Sequence, residues 1–101
     1  MRPKKRYLLV HHRGSERVLK LIRARYAEKF GSDEVERASL AVISYEDGFF
    51  IMRCRLEHCK HLLETLSSMR DKFVPLNMSG TLRALRSRKE AVRKRFLASG
   101  E

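Results

Sequence analysis

Residues 39 to 56 constrain the fold more than any other part of this 101-residue chain. Two runs of β-branched, aromatic and other apolar residues, Ser39 to Tyr45 and Phe49 to Leu56, flank Glu46-Asp47-Gly48, a turn sequence suited to a hairpin. Side chains alternate across a strand, so Phe50, Met52, Cys54 and Leu56 share one face. Phe49, Ile51, Arg53 and Arg55 share the other. A sheet face open to water carries polar side chains. Phe49 and Ile51 therefore need cover even if the main core lies behind Phe50 and Met52. Either the end of the chain or a protein partner supplies it, and intramolecular cover is the expectation.

The rest of the pattern fits around that hairpin. Arg6 to His12 is a short apolar run ended by Arg13-Gly14 and reads as a first strand. Ser15 then offers an N-cap, Glu16 suits a first helical turn, and Val18, Ile22, Tyr26 and Phe30 recur every fourth residue. Gly31 ends this helix, whose other side presents Arg17, Lys20 and Arg23. After Glu57, a second helix gathers Cys59, Leu62, Leu63, Leu66 and Met69 into one stripe. Phe73 to Met78 reads as a fourth strand, in which Pro75 marks an edge or a bulge because it lacks a donor. The order β-α-β-β-α-β predicts an α/β (α+β) sandwich with the ferredoxin-like arrangement: one antiparallel sheet, both helices on one face, and a basic C-terminal helix added. A chain of this length buries about two-thirds of its unfolded surface, enough for one modest domain over residues 1–101.

The last helix carries the charge argument. Ser79-Gly80-Thr81 is turn-like and opens a segment in which Leu82, Leu85, Val92 and Phe96 sit at helical spacing. Arg83, Arg86, Arg88, Lys89, Arg93, Lys94 and Arg95 face a single acid, Glu90. A solvent-facing helix ordinarily mixes signs to gain i,i+4 pairs; this one forgoes them, and a polyanion would offset the repulsion. Over the whole chain 23 Lys and Arg oppose 12 Asp and Glu, a net charge of +11. The charge is segregated: residues 1–31 carry +8, residues 32–71 carry −3 and residues 72–101 carry +6. Two basic ends around a mildly acidic centre point to nucleic acid, with a generic basic surface of the ribosomal kind as the plainer alternative.

Catalytic and metal chemistry find little support. His58, Cys59 and His61 lie close to Cys54, but zinc needs four converging ligands. Here Cys54 falls on the core face of its strand and Cys59 in a helix stripe, both as small buried hydrophobes. His58 and His61 are expected at the exposed start of the second helix. His11-His12 has no accompanying nucleophile motif, no carboxylates stand at a suggestive spacing, and the glycines build no phosphate loop. An RNA-recognition sheet of the stacking type needs aromatic rings at spaced positions of its third strand, and two of those positions are Ile51 and Cys54. Arg and Lys contacts to the backbone and shape of a structured RNA fit better. The cysteines lack a secretory context, and no run is long enough for a signal peptide or membrane span. The basic start leads straight into a strand, unlike a transit peptide. A reducing, cytoplasmic setting is expected.

Three stretches then point to one family: Arg2-Pro3 followed by Lys5-Arg6-Tyr7-Leu8; Arg53-Cys54 after an apolar run; and Ser79-Gly80-Thr81-Leu82 leading into a helix that ends Lys94-Arg95-Phe96-Leu97. In these the chain resembles ribonuclease P protein component 2, the archaeal relative of the eukaryotic subunits Pop-five and Rpp-fourteen. The resemblance implies a ferredoxin-like sandwich in a ribonucleoprotein that removes the 5′ leader from precursor tRNA. It implies that the RNA subunit holds the catalytic centre and its Mg²⁺ ions, and that the protein carries neither cofactor nor active site of its own. It further implies a TIM-barrel-like partner, ribonuclease P protein component 3, in a heterotetramer, with direct contact to precursor tRNA left open.

The candidate RNA contacts are Arg2, Lys4, Lys5 and Arg6 at the start, and Arg53 on the strand face turned from the core. Ser79, Gly80 and Thr81 join them, where backbone N–H groups open a helix, with Arg83, Arg86, Arg93 and Lys94 on the helix itself. The plainer roles are a simple N-cap for the Ser-Gly-Thr motif and a solvated strand arginine for Arg53. Two other functions stay open: a general structured-RNA-binding or ribosome-assembly protein, and a small acylphosphatase-like hydrolase. The missing phosphate loop after the first strand speaks against the second.

Overall fold

The computed structural model describes residues 4–13 and 17–99. In chain order these form β1 (Lys5–His12), α1 (Val18–Phe30), α2 (Ser32–Ala38), β2 (Ala41–Glu46), β3 (Phe49–Arg55), α3 (Cys59–Ser67), β4 (Phe73–Ser79) and α4 (Leu82–Ala98). One turn of 3-10 helix, Leu56–His58, joins β3 to α3. The four strands make one antiparallel sheet in the order β2-β3-β1-β4, the ferredoxin-like arrangement.

Local chemistry accounts for the main junctions. Asp47 and Gly48 both take positive φ, 52° and 81°, in a two-residue turn whose twist matches the strands it joins. Gly31, at φ 100°, ends α1 with its N–H donating to the Ala27 carbonyl at 2.8 Å. The expected cap at Ser15 and first-turn acid at Glu16 lie outside the described residues. β4 is an edge strand, and its pairing with β1 slips between Leu9 and Val10, opposite Asn77 and Pro75. Pro75 thus stands both at an edge and at a bulge. The other edge strand, β2, slips against β3 between Val42 and Ser44.

Three expectations need correction. Ser39 does not begin β2: it takes a left-handed conformation (φ 51°) at the end of α2, and the strand starts at Ala41. α2 itself was not expected, and it packs Val35 and Ala38 into the core. Leu56 leaves β3 for the 3-10 turn instead of extending the core face. His58 and His61 are not exposed: His58 is buried, its Nδ1 2.9 Å from the Tyr26 hydroxyl and 3.7 Å from Glu34 of α2. His61 stacks on Phe30, ring centres 4.0 Å apart. Helices α1 and α2 pack where the sequence alone suggested open solvent.

The sheet separates two cores. α1, α2 and α3 cover one face, where Leu8, Val10, Phe50, Met52 and Cys54 meet Ile22, Tyr26, Leu62 and Leu66. α4 lies on the other, where Leu9, Phe49 and Ile51 meet Leu85, with Leu82, Val92 and Phe96 packed around them. The alternation along β3 is the one its sequence predicts, and the cover over Phe49 and Ile51 is intramolecular. Cys54 and Cys59 are free thiols with sulfurs 3.5 Å apart, and burial, then Cys59 beside it, pushes the Cys54 thiol up from its ordinary value. Among the described residues no helix is long and apolar enough to cross a membrane.

Candidate nucleic-acid interface

α4 covers its sheet face only in part. It starts at Thr81, just past the end of β4, and runs to the β2–β3 turn, where Arg93 Nη2 meets Asp47 Oδ2 at 3.2 Å. There Phe96 packs edge-on against Phe49, ring centres 6.0 Å apart. Beyond the apolar patch, the same face continues into Lys5 and Tyr7 on β1 and Arg53 and Arg55 on β3. Lys5 lies directly opposite Arg55. Tyr7 lies opposite Arg53 on one side and Ser79 on the other. Ala41, the β2 partner of Arg53, adds little bulk beside it.

Like charges facing each other across a strand pair are destabilising unless something neutralises them. Among the described residues, Lys5, Arg53 and Arg55 form no ion pair. The Nε atoms of Arg53 and Arg55 are buried without a hydrogen-bond partner. A buried donor left unpaired is costly.

The start of α4 adds positive potential beside these cations. Thr81 Oγ1 accepts from the Ala84 N–H at 3.2 Å, the N-cap bond its position suggests. Ser79 is the last residue of β4, and its hydroxyl accepts from the Thr81 N–H at 3.3 Å. Gly80 gives Arg6 room: a methyl group there would lie 3.0 Å from Arg6 Nη1. That nitrogen in turn donates to the Lys5 carbonyl at 3.2 Å.

Of the residues singled out from sequence, Lys5, Arg53, Ser79, Gly80 and Thr81 converge at this end of the sheet, while Arg6, opposite Cys54, alternates onto the other face. Lys4 is exposed just before β1, and its carbonyl accepts from the Leu56 N–H at 2.8 Å. Arg2 lies outside the described residues. Arg83 and Arg86 are exposed on the first half of α4. Arg86 precedes Arg93 by seven residues and so shares the helix flank that Arg93 turns toward the β2–β3 turn. Arg93 itself is held at the far end by Asp47 and Glu90, with its guanidinium 5.4 Å from the centre of the Phe49 ring. Lys94 is exposed at that far end as well. Sequence reasoning passed over Arg55 and Tyr7 as site residues, although alternation already put Arg55 beside Arg53. Their pairing with Lys5 and Ser79 appears only in the strand register.

Other basic surface exists. A concavity of about 600 Å³ at the β4 edge is lined by Arg13, Arg70, Phe73, Val74, Pro75 and Phe96, with Ser67. Arg17, which precedes α1, and Lys20 and Arg23 on it lie behind the sheet, with Arg23 3.7 Å from Glu36. The sheet end differs from these in setting its cations opposite one another in register. Among the described residues no group of three or more His, Cys, Asp or Glu side chains converges as a metal site.

A model of the Rpp14/Pop5 family matches residues 3–89. No curated protein matched the sequence. The matched stretch takes in the whole sheet, every residue of the sheet-end cluster and the first half of α4, and stops short of Arg93 and Lys94.

Proposed function

The chain belongs to the Rpp14/Pop5 family of ribonuclease P protein subunits, and from that premise we propose that it supports the catalytic RNA in removing the 5′ leader of precursor tRNA. The observation that carries this reading is the set of Lys5, Arg53 and Arg55, close together in the strand register beside the start of α4 and without an ion-pair partner among the described residues. Phosphates drawn to these side chains lose their condensed counterions. RNA helices that would otherwise repel can then approach around the catalytic centre at lower Mg²⁺. In this reading the RNA holds the reaction's Mg²⁺ ions, and the protein contributes electrostatics and shape rather than a base, a nucleophile or a metal ligand. Its partners are the ribonuclease P RNA and the TIM-barrel-like protein component 3, paired in a heterotetramer in the cytoplasm.

Reconstitution tests it. Precursor-tRNA cleavage by the RNA and component 3 at limiting Mg²⁺ is expected to rise when this protein is added, and to fall back with Lys5→Gln/Arg53→Gln/Arg55→Gln. No gain in rate or in Mg²⁺ requirement on adding the wild type would overturn the proposal. Copurification with ribosomal RNA instead of ribonuclease P RNA would favour a general structured-RNA-binding role.

A further inference from the structure

We propose that the uncovered end of the sheet receives one unpaired nucleotide, its base stacked on Tyr7 and its flanking phosphates held by Lys5, Arg53 and Arg55. The inference rests on the RNA-binding reading above and specifies what that surface takes. The other rings on this face are already used: His11 packs between Phe49 and Phe96, with ring centres 4.8 and 4.6 Å away, and Phe96 covers Phe49. Tyr7 is different. It is half-buried at the margin of the second core, and among the described residues no ring stacks on it and no cation lies over it.

Its surroundings suit a nucleotide. Every base offers a π-face to an aromatic side chain, and a stack needs charge nearby to hold the strand on either side. Arg53 and Ser79 are the cross-strand neighbours of Tyr7, and the Lys5–Arg55 pair is the next one along the same face. Among the described residues Arg53 and Arg55 have no ion-pair partner, which leaves their charge for phosphates. None of the residues making up this end of the face, Lys5, Tyr7, Ala41, Arg53, Arg55 and Ser79, is acidic.

The size of the platform is set by α4. Toward the middle of the sheet Phe49 and Ile51 are buried beneath the helix, so bases cannot continue along the strands. An extended single strand does not fit such a platform. A single nucleotide bulged from, or ending, a paired RNA does.

The test uses the full-length protein and two hairpin RNAs that differ only by one bulged nucleotide. The wild type is expected to prefer the bulged hairpin. Tyr7→Leu is expected to bind it roughly 5- to 150-fold more weakly, the range of one missing base–aromatic stack, while binding the unbulged hairpin as before. Tyr7→Phe keeps the ring and is expected to retain the preference. Tyr7→Leu leaves the salt dependence unchanged, whereas Arg55→Gln makes it shallower. Unfolding midpoints of all three variants identify any loss that comes from misfolding. If Arg55→Gln weakens binding but the wild type shows no bulge preference, or Tyr7→Leu binds the bulged hairpin normally, stacking is wrong and the RNA interface stands. If Arg55→Gln also changes neither affinity nor salt slope, the interface itself is misplaced.

Discussion

The two faces of this sheet share four strands and part ways in chemistry. Toward α1, α2 and α3 the face is covered by three helices, and its buried polar groups fare unequally: His61 Nδ1 has no hydrogen-bond partner among the described residues. The Tyr26 hydroxyl meets His58, and burial, with Glu34 nearby, pushes its phenol up to about 12. Toward α4 the face is closed for half its length and then turns cationic. The change falls within one strand: Phe49 and Ile51 anchor the helix, and two residues further on Arg53 and Arg55 stand without an ion-pair partner among the described residues. Stability is thus gathered behind the sheet and under α4, and charge is gathered where neither reaches. Separating them lets the cations face each other without a matching carboxylate, because the repulsion is borne by a fold already held elsewhere.

The sharpest way to break this division is to cut into each core. Phe50 is fully buried on the three-helix side, and Phe50→Ala is expected to lose about 3–5 kcal/mol of stability in denaturant titration. Leu85→Ala, under α4, is expected to lose about 2–5 kcal/mol. Its signature in hydrogen exchange is faster exchange confined mainly to α4; equal loss of protection throughout β3 would show that the two cores are one cooperative unit.

Charge tests the other half of the comparison. Removing Lys5, Arg53 and Arg55 together is expected to flatten the salt dependence of RNA binding, without lowering the unfolding midpoint. The slope should fall by roughly 0.7–0.9 for each phosphate no longer neutralised. The pair Arg93→Gln/Lys94→Gln is expected to change that slope less, since Arg93 is already engaged by Asp47. The opposite order would move the interface to the far end of α4.

Smaller effects sharpen the boundary between the two. Thr81→Ala removes the cap bond to Ala84 and is expected to cost about 1 kcal/mol, read from the unfolding midpoint. His11, wedged between Phe49 and Phe96, has its pKa held below the ordinary 6.5, chiefly by burial, then by Arg13 and His12. Above that pH both folded and unfolded chains hold His11 neutral, and its linkage contributes nothing. As pH falls below about 6.5 the unfolded chain takes up the proton first, so stability declines until the folded value is passed. Denaturation at a series of pH values is expected to show this decline, and His11→Leu to remove that part of it.

The legible parts of the fold were those with local signals. Alternation along β3 and the Asp47-Gly48 turn predicted the hairpin and the need for a second layer. Helical spacing of Leu82, Leu85, Val92 and Phe96 showed an amphipathic helix able to supply it, but not where that helix lies. α2 stayed hidden because seven residues give barely two turns, too few to display a stripe; Asp33 and Glu34 in its first turn were the available hint. Missing α2 also meant missing the burial of His58, since Glu34 belongs to that helix. For the site, single positions such as Arg53 and Thr81 were readable, but their convergence was not. It depends on Lys5 meeting Arg55 from fifty residues away, and on Arg93 being captured by a turn that precedes it by 46 residues.

The irregular outer strands have a consequence for company. A free strand edge invites another strand to add to the sheet, and copies of one chain are the nearest supply. Here the inner pair, β1 and β3, keeps an unbroken register, while both outer strands are broken, β2 near Val42 and β4 at Pro75. Neither rim can template a regular ladder along its length. Strand-on-strand addition is thereby disfavoured, and association is left to side chains, where charge can choose the partner.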